Sequence, residues 1–156
     1  MLTVVGGKKI KISGGNFVIV ASLYNDRYVG AMLRSAQAEL KRAGAAKIQI
    51  VRVPGAYEIP VVASKLARTQ SRELSAIICL GVILRGQTVH AEHIGTAVSH
   101  ALMEIQLRDE VPVIHEVLLL ENEEQARARC LDKKFNRGTE AAQTALEMAR
   151  VMRSLD

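Results

Sequence analysis

Between Cys79 and His100 the chain reads CLGVILRGQTVHAEHIGTAVSH, and this stretch concentrates the residues best suited to chemistry. An apolar run over 76–84 breaks at Arg85-Gly86, passes through Gln87, Thr88 and His90, and resumes with helical spacing. A strand that ends in a polar, glycine-containing turn and opens a helix suits anions, because free N–H groups and the positive end of the helix dipole face outward together. His90 adds a group that exchanges protons near neutral pH, although a turn histidine taken alone is more often a solvated cap than a catalyst. Just ahead of a helix N-terminus its cationic form is disfavoured, which suits a base, and Glu92 nearby opposes that effect. His90 and His93 have H-x-x-H spacing, but spacing supplies no third ligand, so no metal is expected. His93 and His100 read as helix-surface or packing residues. Arg85-Gly86 reads as an ordinary turn, with Arg85 available for a subunit contact.

Those residues need a scaffold, and the hydrophobic pattern supplies one. Short apolar runs alternate with longer helical patterns, which predicts one α/β domain with a parallel sheet and helices on both faces. Strands are predicted over 17–22, 47–53, 76–84 and 112–119, and their near-continuous Val, Ile and Leu content suits strands covered on both faces. A first helix opens at Asn25 or Asp26, carries Val29, Met32, Leu33, Ala36 and Leu40 on one face, and stops at Gly44. Further helices are predicted over 57–67, with Pro60 in the first turn, and over 92–107 and 123–131. The last begins at Thr139 with an apolar stripe of Ala142, Ala145, Leu146, Ala149 and Met152. Residues 1–15 read as an N-terminal arm, in which 2–5 and 9–12 could add a strand to the sheet edge of a neighbouring subunit.

In such sheets ligands bind beyond the carboxyl ends of the strands, where strand order reverses. Tyr24 and Asn25 follow the first strand, Gly55, Ala56, Tyr57 and Glu58 the second, and Gln87, Thr88 and His90 the third. His115 lies inside the fourth strand, and Arg127 and Arg129 on the helix after it. This set offers an aromatic platform, a carboxylate, a phosphate-sized polar turn, a proton carrier and a guanidinium, which suits a polar heterocycle and a phosphorylated small molecule. Tyr57 is as much a core candidate as a ligand contact. Arg127 and Arg129 are equal candidates on composition, but roughly 200° apart around a helix only one of them can face a site.

Composition narrows the class. A chain of 156 residues with 49% hydrophobic content is one globular domain with a sizeable core. The formal charge of +5 is scattered rather than blocked, and the two Phe and three Tyr are not interleaved with a basic run, so nucleic acid is not an expected partner. No apolar run is of membrane-spanning length, and the N-terminus lacks a signal-peptide h-region. Cys79 and Cys130 show neither metal spacing nor a disulfide framework. The expectation is a cytoplasmic protein with no membrane partner.

The segments Val53-Pro54-Gly55-Ala56-Tyr57-Glu58-Ile59-Pro60 and Gly81-Val82-Ile83-Leu84-Arg85-Gly86-Gln87-Thr88-Val89-His90 closely resemble the two signature segments of the 6,7-dimethyl-8-ribityllumazine synthases. Ser22-Leu23-Tyr24-Asn25 and Asn136-Arg137-Gly138 match further family positions in order, so the resemblance covers nearly the whole chain. It implies a flavodoxin-like three-layer sandwich around a four-stranded parallel sheet, and an enzyme without a cofactor. That enzyme condenses 5-amino-6-(D-ribitylamino)uracil with 3,4-dihydroxy-2-butanone 4-phosphate in the penultimate step of riboflavin formation.

Residue by residue, the resemblance makes Tyr24 the aromatic that stacks on the pyrimidinedione. Asn25 belongs to the same strand exit, and Ala56, Tyr57 and Glu58 hold the ribityl chain. Val82, Ile83 and Leu84 line the ring, Gln87 and Thr88 bind phosphate, and His90 transfers protons. Arg129, rather than Arg127, closes on the phosphate. The family's site lies between subunits of a pentamer, so His115 and Arg129 would come from the neighbouring chain.

Two departures stand out: His115 replaces a usual aromatic, and Ala91 replaces a frequently aromatic neighbour of the catalytic histidine. The first permits a rival reading, a non-catalytic lumazine- or flavin-binding or shell-forming homologue. Lys133 and Asn136 keep their places between the last two helices, while Leu131 and Phe135 stand where shell-forming members commonly have glycine. That segment is compatible with a pentamer, a decamer or a sixty-subunit shell.

Overall fold

The computed structural model describes residues 9–156. Four strands, β1 (Asn16–Ser22), β2 (Lys47–Val53), β3 (Ala76–Leu84) and β4 (Val113–Leu120), form one all-parallel sheet in the order β2-β1-β3-β4. The helices are α1 (Asp26–Ala43), α2 (Ile59–Gln70), α3 (His90–Asp109), α4 (Glu123–Cys130) and α5 (Arg137–Ser154), with a single 3-10 turn over Ala56–Glu58 ahead of α2. The predicted three-layer architecture is present. Strand and helix boundaries fall within a few residues of the sequence reading.

Strand order explains which helix covers which face. The step from β1 to β2 runs one way across the sheet, and the steps from β2 to β3 to β4 run the other way. Crossovers of constant hand therefore place α1 on one face and α2 and α3 on the opposite one. Two separate cores result. Phe17, Ile19, Ile78 and Leu80 pack with Met32, Leu40 and Leu146 beneath α1 and α5, while Val18, Val20 and Ile77 pack with Ile59, Val98 and Leu102 beneath α2 and α3. The predicted stripe of α1 is buried throughout, and that of α5 is buried except at Met152.

Local chemistry sets the element ends. Gly44 terminates α1 at φ 96°, a left-handed geometry that other residues rarely adopt, and its N–H returns to Leu40 and Lys41 carbonyls. Pro60 sits in the first turn of α2, where its missing N–H costs no helical bond. Asn136 caps α5, accepting from the N–H groups of Gly138 (2.8 Å) and Thr139 (3.3 Å). Gly138 lies so close to α1 that a Cβ there would overlap the Met32 carbonyl oxygen.

Within its own chain the segment over 9–12 joins no strand of the sheet. The Ile12 N–H donates to Ala43 (2.8 Å) and Arg42 donates to the Ile10 carbonyl (3.0 Å), so this segment is tied to the end of α1. Burial of Ile10 and Ile12 against the first core accounts for that choice. The expectation for 2–5 lies outside the described residues. Among those residues no helix is long and apolar enough to cross a membrane.

Candidate active site

The direction of strand addition reverses between β1 and β3, and the carboxyl ends of β1, β2 and β3 are laced together there. The Leu23 N–H donates to the Val53 carbonyl (2.7 Å) and the Tyr24 N–H to the Pro54 carbonyl (3.0 Å). Arg52 reinforces the exit of β1 by donating to the Ala21 (3.2 Å) and Ser22 (2.9 Å) carbonyls. Asn25 adopts a left-handed conformation (φ 59°, ψ 41°) and its side-chain amide donates to the Val82 carbonyl at 2.8 Å. Asn25 thus ties the β1 exit to β3 instead of capping α1 with its side chain, one of the two capping options read from the sequence.

Above these ends opens a cleft of about 910 Å³ lined by Tyr24, Asn25, Ala56, Tyr57, Glu58, Val82, Ile83, Leu84, Thr88 and His90. That volume is ample for a drug-sized ligand or two smaller ones. Val82 and Ile83 are its buried apolar floor, while the Tyr24 and Tyr57 rings stand 75% and 67% exposed. Tyr57 is therefore not a core residue. Glu58 folds back over Gly55, with Oε2 3.3 Å from the place a Gly55 Cβ would occupy, which leaves the carboxylate at the mouth of the cleft.

The entry to α3 is built for an acceptor. Val89 occupies the N-cap and supplies no capping side chain, so donors of the first helical turn stay available to an anion. The Thr88 hydroxyl accepts from the His90 N–H at 3.4 Å. His90 is the first residue of α3, not a residue of the turn ahead of it as the sequence suggested, because the helix starts two residues earlier than expected. Glu92 is engaged by Arg85, which also meets Glu121 at 3.2 Å. The arginine read as a subunit contact thus makes two ion pairs within its own chain and occupies the Glu92 charge expected to act on His90.

Sequence reasoning missed His93, Ile94 and Ala97, which line the same cleft. The signal was available: positions three, four and seven after His90 share its helix face. Ala91, the small residue beside His90, is buried and also lines the cleft.

Three expected site residues are not on this cleft wall. Gln87 is exposed in the turn. His115 projects from β4 beyond α3, where its Nε2 lies 2.7 Å from Ser99 Oγ. Arg129 is half-buried on α4 and makes no ion pair with any described residue, whereas Arg127 is exposed and pairs with Glu123 at 3.6 Å. Behind them lies a pair that sequence reasoning overlooked. Buried Glu116 of β4 accepts from Arg137 at the start of α5 (2.9 Å). Desolvation pushes the Glu116 carboxyl above its ordinary range, and Arg137 opposes this. Asn136 also donates to the Cys130 carbonyl at 2.7 Å, joining the end of α4 to the start of α5. Burial pushes the Cys79 and Cys130 thiols up to about 12, so neither is a nucleophile near neutral pH. Among the described residues no cluster of three or more metal-type ligands forms.

A parallel α/β sandwich with an apolar-floored, ligand-sized cleft where its strand order reverses, and a helix start with free donors beside a histidine, has the geometry of a small-molecule site suited to a polar ring and an anion. Within that class the assignment is specific. The 6,7-dimethyl-8-ribityllumazine synthase family profile matches residues 14–153. Proteins of that name from two strains of Clostridium kluyveri are each 39% identical over 150 residues, spanning 95% of this chain and 96% of their own length. The chain belongs to the 6,7-dimethyl-8-ribityllumazine synthase family.

Proposed function

We propose that this enzyme, a transferase, condenses 5-amino-6-(D-ribitylamino)uracil with 3,4-dihydroxy-2-butanone 4-phosphate to 6,7-dimethyl-8-ribityllumazine, releasing phosphate and water. The observation that carries the reading is the convergence of Tyr24, Glu58, Thr88 and His90 on one cleft, in a chain matched to the family over nearly its whole length.

The chemistry asks for orientation and proton transfer. Tyr24 stacks on the pyrimidinedione above the Val82, Ile83 and Leu84 strand end, and the Ala56-Tyr57-Glu58 turn holds the ribityl hydroxyls, with Asn25 keeping the strand exits in register. Gln87, Thr88 and the first amides of α3 take the phosphate. The ring amine attacks the ketone and loses water to give an imine, phosphate is eliminated to leave an enol that tautomerises to a second carbonyl, and the ribitylamino nitrogen closes the ring on that carbonyl with loss of a second water. His90, at the base of the same helix, carries the protons. Holding two reactants in attack geometry is worth about 7–11 kcal/mol, and a placed acid/base adds about 10²–10⁴-fold.

His115 and Arg129 belong to the site of an adjacent copy in a ring of five. Their position outside the cleft of their own chain, and the half-buried Arg129 without an ionic partner among the described residues, support this arrangement. The exposed apolar residues next in the chain to cleft-lining ones, Leu23 (52%) beside Tyr24 and Val89 (63%) between Thr88 and His90, support a covering neighbour. The enzyme works in the cytoplasm, as a pentamer or an assembly of pentamers.

The test is incubation of the purified protein with both substrates while following the absorbance and fluorescence of the lumazine. Product formation is the expected result. Tight lumazine binding without turnover would replace this reading with that of a non-catalytic homologue.

A further inference from the structure

β4 is the edge of the sheet, and the N–H of Val117 on that strand finds its acceptor in a side chain. It donates to Nδ1 of His115, two residues back, at 3.2 Å. The other ring nitrogen, Nε2, lies 2.7 Å from the Oγ of Ser99 on α3. A ring nitrogen that accepts an N–H bond cannot itself carry a proton. The neutral ring therefore bears its proton on Nε2 and donates it to the serine hydroxyl. Turning the ring over breaks both bonds, whereas moving the proton to Nδ1 breaks the bond from Val117 and leaves the serine hydroxyl to donate to Nε2, so the Val117 N–H selects the tautomer and Ser99 the orientation of the ring. Partial burial acts in the same direction, lowering the pKa of His115 from its ordinary value, with a smaller opposing contribution from its own backbone.

We propose that Ser99 is a positioning residue for His115: with the Val117 N–H holding the Nε2–H tautomer, the serine hydroxyl pins the plane of the imidazole and leaves both in-plane nitrogens saturated. The ring then offers an uncharged face, not a hydrogen-bonding edge, to the pyrimidinedione in the adjacent copy. The proposal rests on the assignment of His115 to that shared site. Its physical content is that an imidazole with both nitrogens occupied behaves as a flat aromatic plate, suited to offset stacking. Ser99 would then be what makes a histidine serviceable where a carbocyclic aromatic is usual. The same serine lines a groove of about 340 Å³ between α3 and β4, together with Thr96, His100, Val117 and Leu119. That places the pair on an open face of the chain rather than in its core.

The experiment combines a spectrum with kinetics on the assembled protein. With ¹⁵N-labelled histidine, and His115→Phe used to assign the signals, the His115 ring should show a protonated, pyrrole-type Nε2 and a pyridine-type Nδ1. Ser99→Ala should shift the Nε2 signal, which loses its hydrogen-bond partner, and leave Nδ1 pyridine-type. It should also raise KM for 5-amino-6-(D-ribitylamino)uracil by about two- to tenfold, the scale of one net hydrogen bond. kcat and the KM of the phosphorylated ketone should not change, and Ser99→Thr should restore both spectrum and KM. In a His115→Phe background, Ser99→Ala should have no effect on KM. A proton on Nδ1 in the parent protein overturns the proposal, as does a Ser99→Ala penalty that survives in the His115→Phe background. An active enzyme in which Ser99→Ala changes neither spectrum nor KM overturns it while leaving the functional reading intact. A protein that forms no lumazine removes the functional reading, and the proposed role of the ring with it.

Discussion

The cleft at the ends of β1, β2 and β3 and the rim formed by β4 and α4 differ in what completes them. In the cleft, strand ends are tied directly to one another: Leu23 and Tyr24 to the β2 exit, and Asn25 to Val82. Its residues come from segments that the sheet already brings together, so a single chain assembles Tyr24, Glu58, Thr88 and His90. On the rim, His115 and Arg129 sit on elements whose placement depends on a second layer of bonds. Glu116 with Arg137 fastens α5 to β4, and Asn136 fastens α5 to α4. The cleft is set by sheet register, the rim by a buried polar network, so the two can be damaged independently.

The largest effect should come from the cleft. His90→Ala is expected to lower kcat by about 10²–10⁴ with little change in either KM, because a proton carrier is lost and the binding surfaces are kept. Steady-state kinetics on lumazine formation decide the matter. An unchanged kcat would remove His90 from the proton-transfer role.

A rim mutation should look different. Arg129→Ala is expected to raise KM for the phosphorylated ketone by roughly 10–100-fold, the equivalent of losing a hydrogen bond to a charged group. On the proposal that the rim serves an adjacent copy, co-refolding His90→Ala with Arg129→Ala chains should restore activity that neither has alone, since some sites then combine two intact halves. No gain in mixed rings verified by mass spectrometry would place both halves in one chain, and the comparison would collapse.

The network behind the rim can be probed through stability. Asn136→Ala removes the acceptor for two amides of α5 and the donor to Cys130, inside a side-chain environment that is 5% exposed. A loss of about 1–3 kcal/mol is expected, measured by denaturant unfolding. The KM for the phosphorylated ketone should rise with it, and the KM for the pyrimidine should not. A variant with lost stability and an unaltered KM would uncouple Asn136 from the placement of Arg129.

The contrast between cleft and rim also separates what could be read from the chain alone. The strands were legible because Val18–Ala21 and Ile77–Val82 are buried on both faces and leave almost unbroken apolar runs. The cleft residues were legible because each follows a strand end, the one place where polar residues interrupt such runs. His93 was lost because a histidine on an amphipathic helix has no sequence mark of which face it occupies until the helix start is fixed, and that start lay two residues earlier than expected. Glu116 and Arg137 were lost for another reason. They lie 21 positions apart, and only the crossover from β4 to α5 brings them together. The 9–12 segment carries an alternating Lys-Ile-Lys-Ile pattern, which serves packing against the first core within the chain and equally suits an edge strand.

The smallest expected effect bears on the finest distinction, between two arginines on one short helix. On α4, Arg127 and Arg129 are separated by about 200° of rotation, so they cannot serve the same ligand. Arg127 is exposed and spends its charge on Glu123, one turn back and 3.6 Å away. An exposed pair of that kind is worth about 0.5 kcal/mol or less. Arg127→Ala should therefore shift the unfolding midpoint barely, and leave both KM values and kcat within a factor of about two. Measured beside Arg129→Ala under the same conditions, it controls for the loss of a positive charge from α4, since each variant removes one. Equal effects from the two would mean that the helix acts only through its net charge on an incoming anion, and the rim would contribute a field, not a contact. A larger effect from Arg127 would mean that α4 turns its other face toward the neighbouring copy. Only an Arg129-specific rise in KM leaves the guanidinium bound to the phosphate in a defined register, which a site shared between two chains requires.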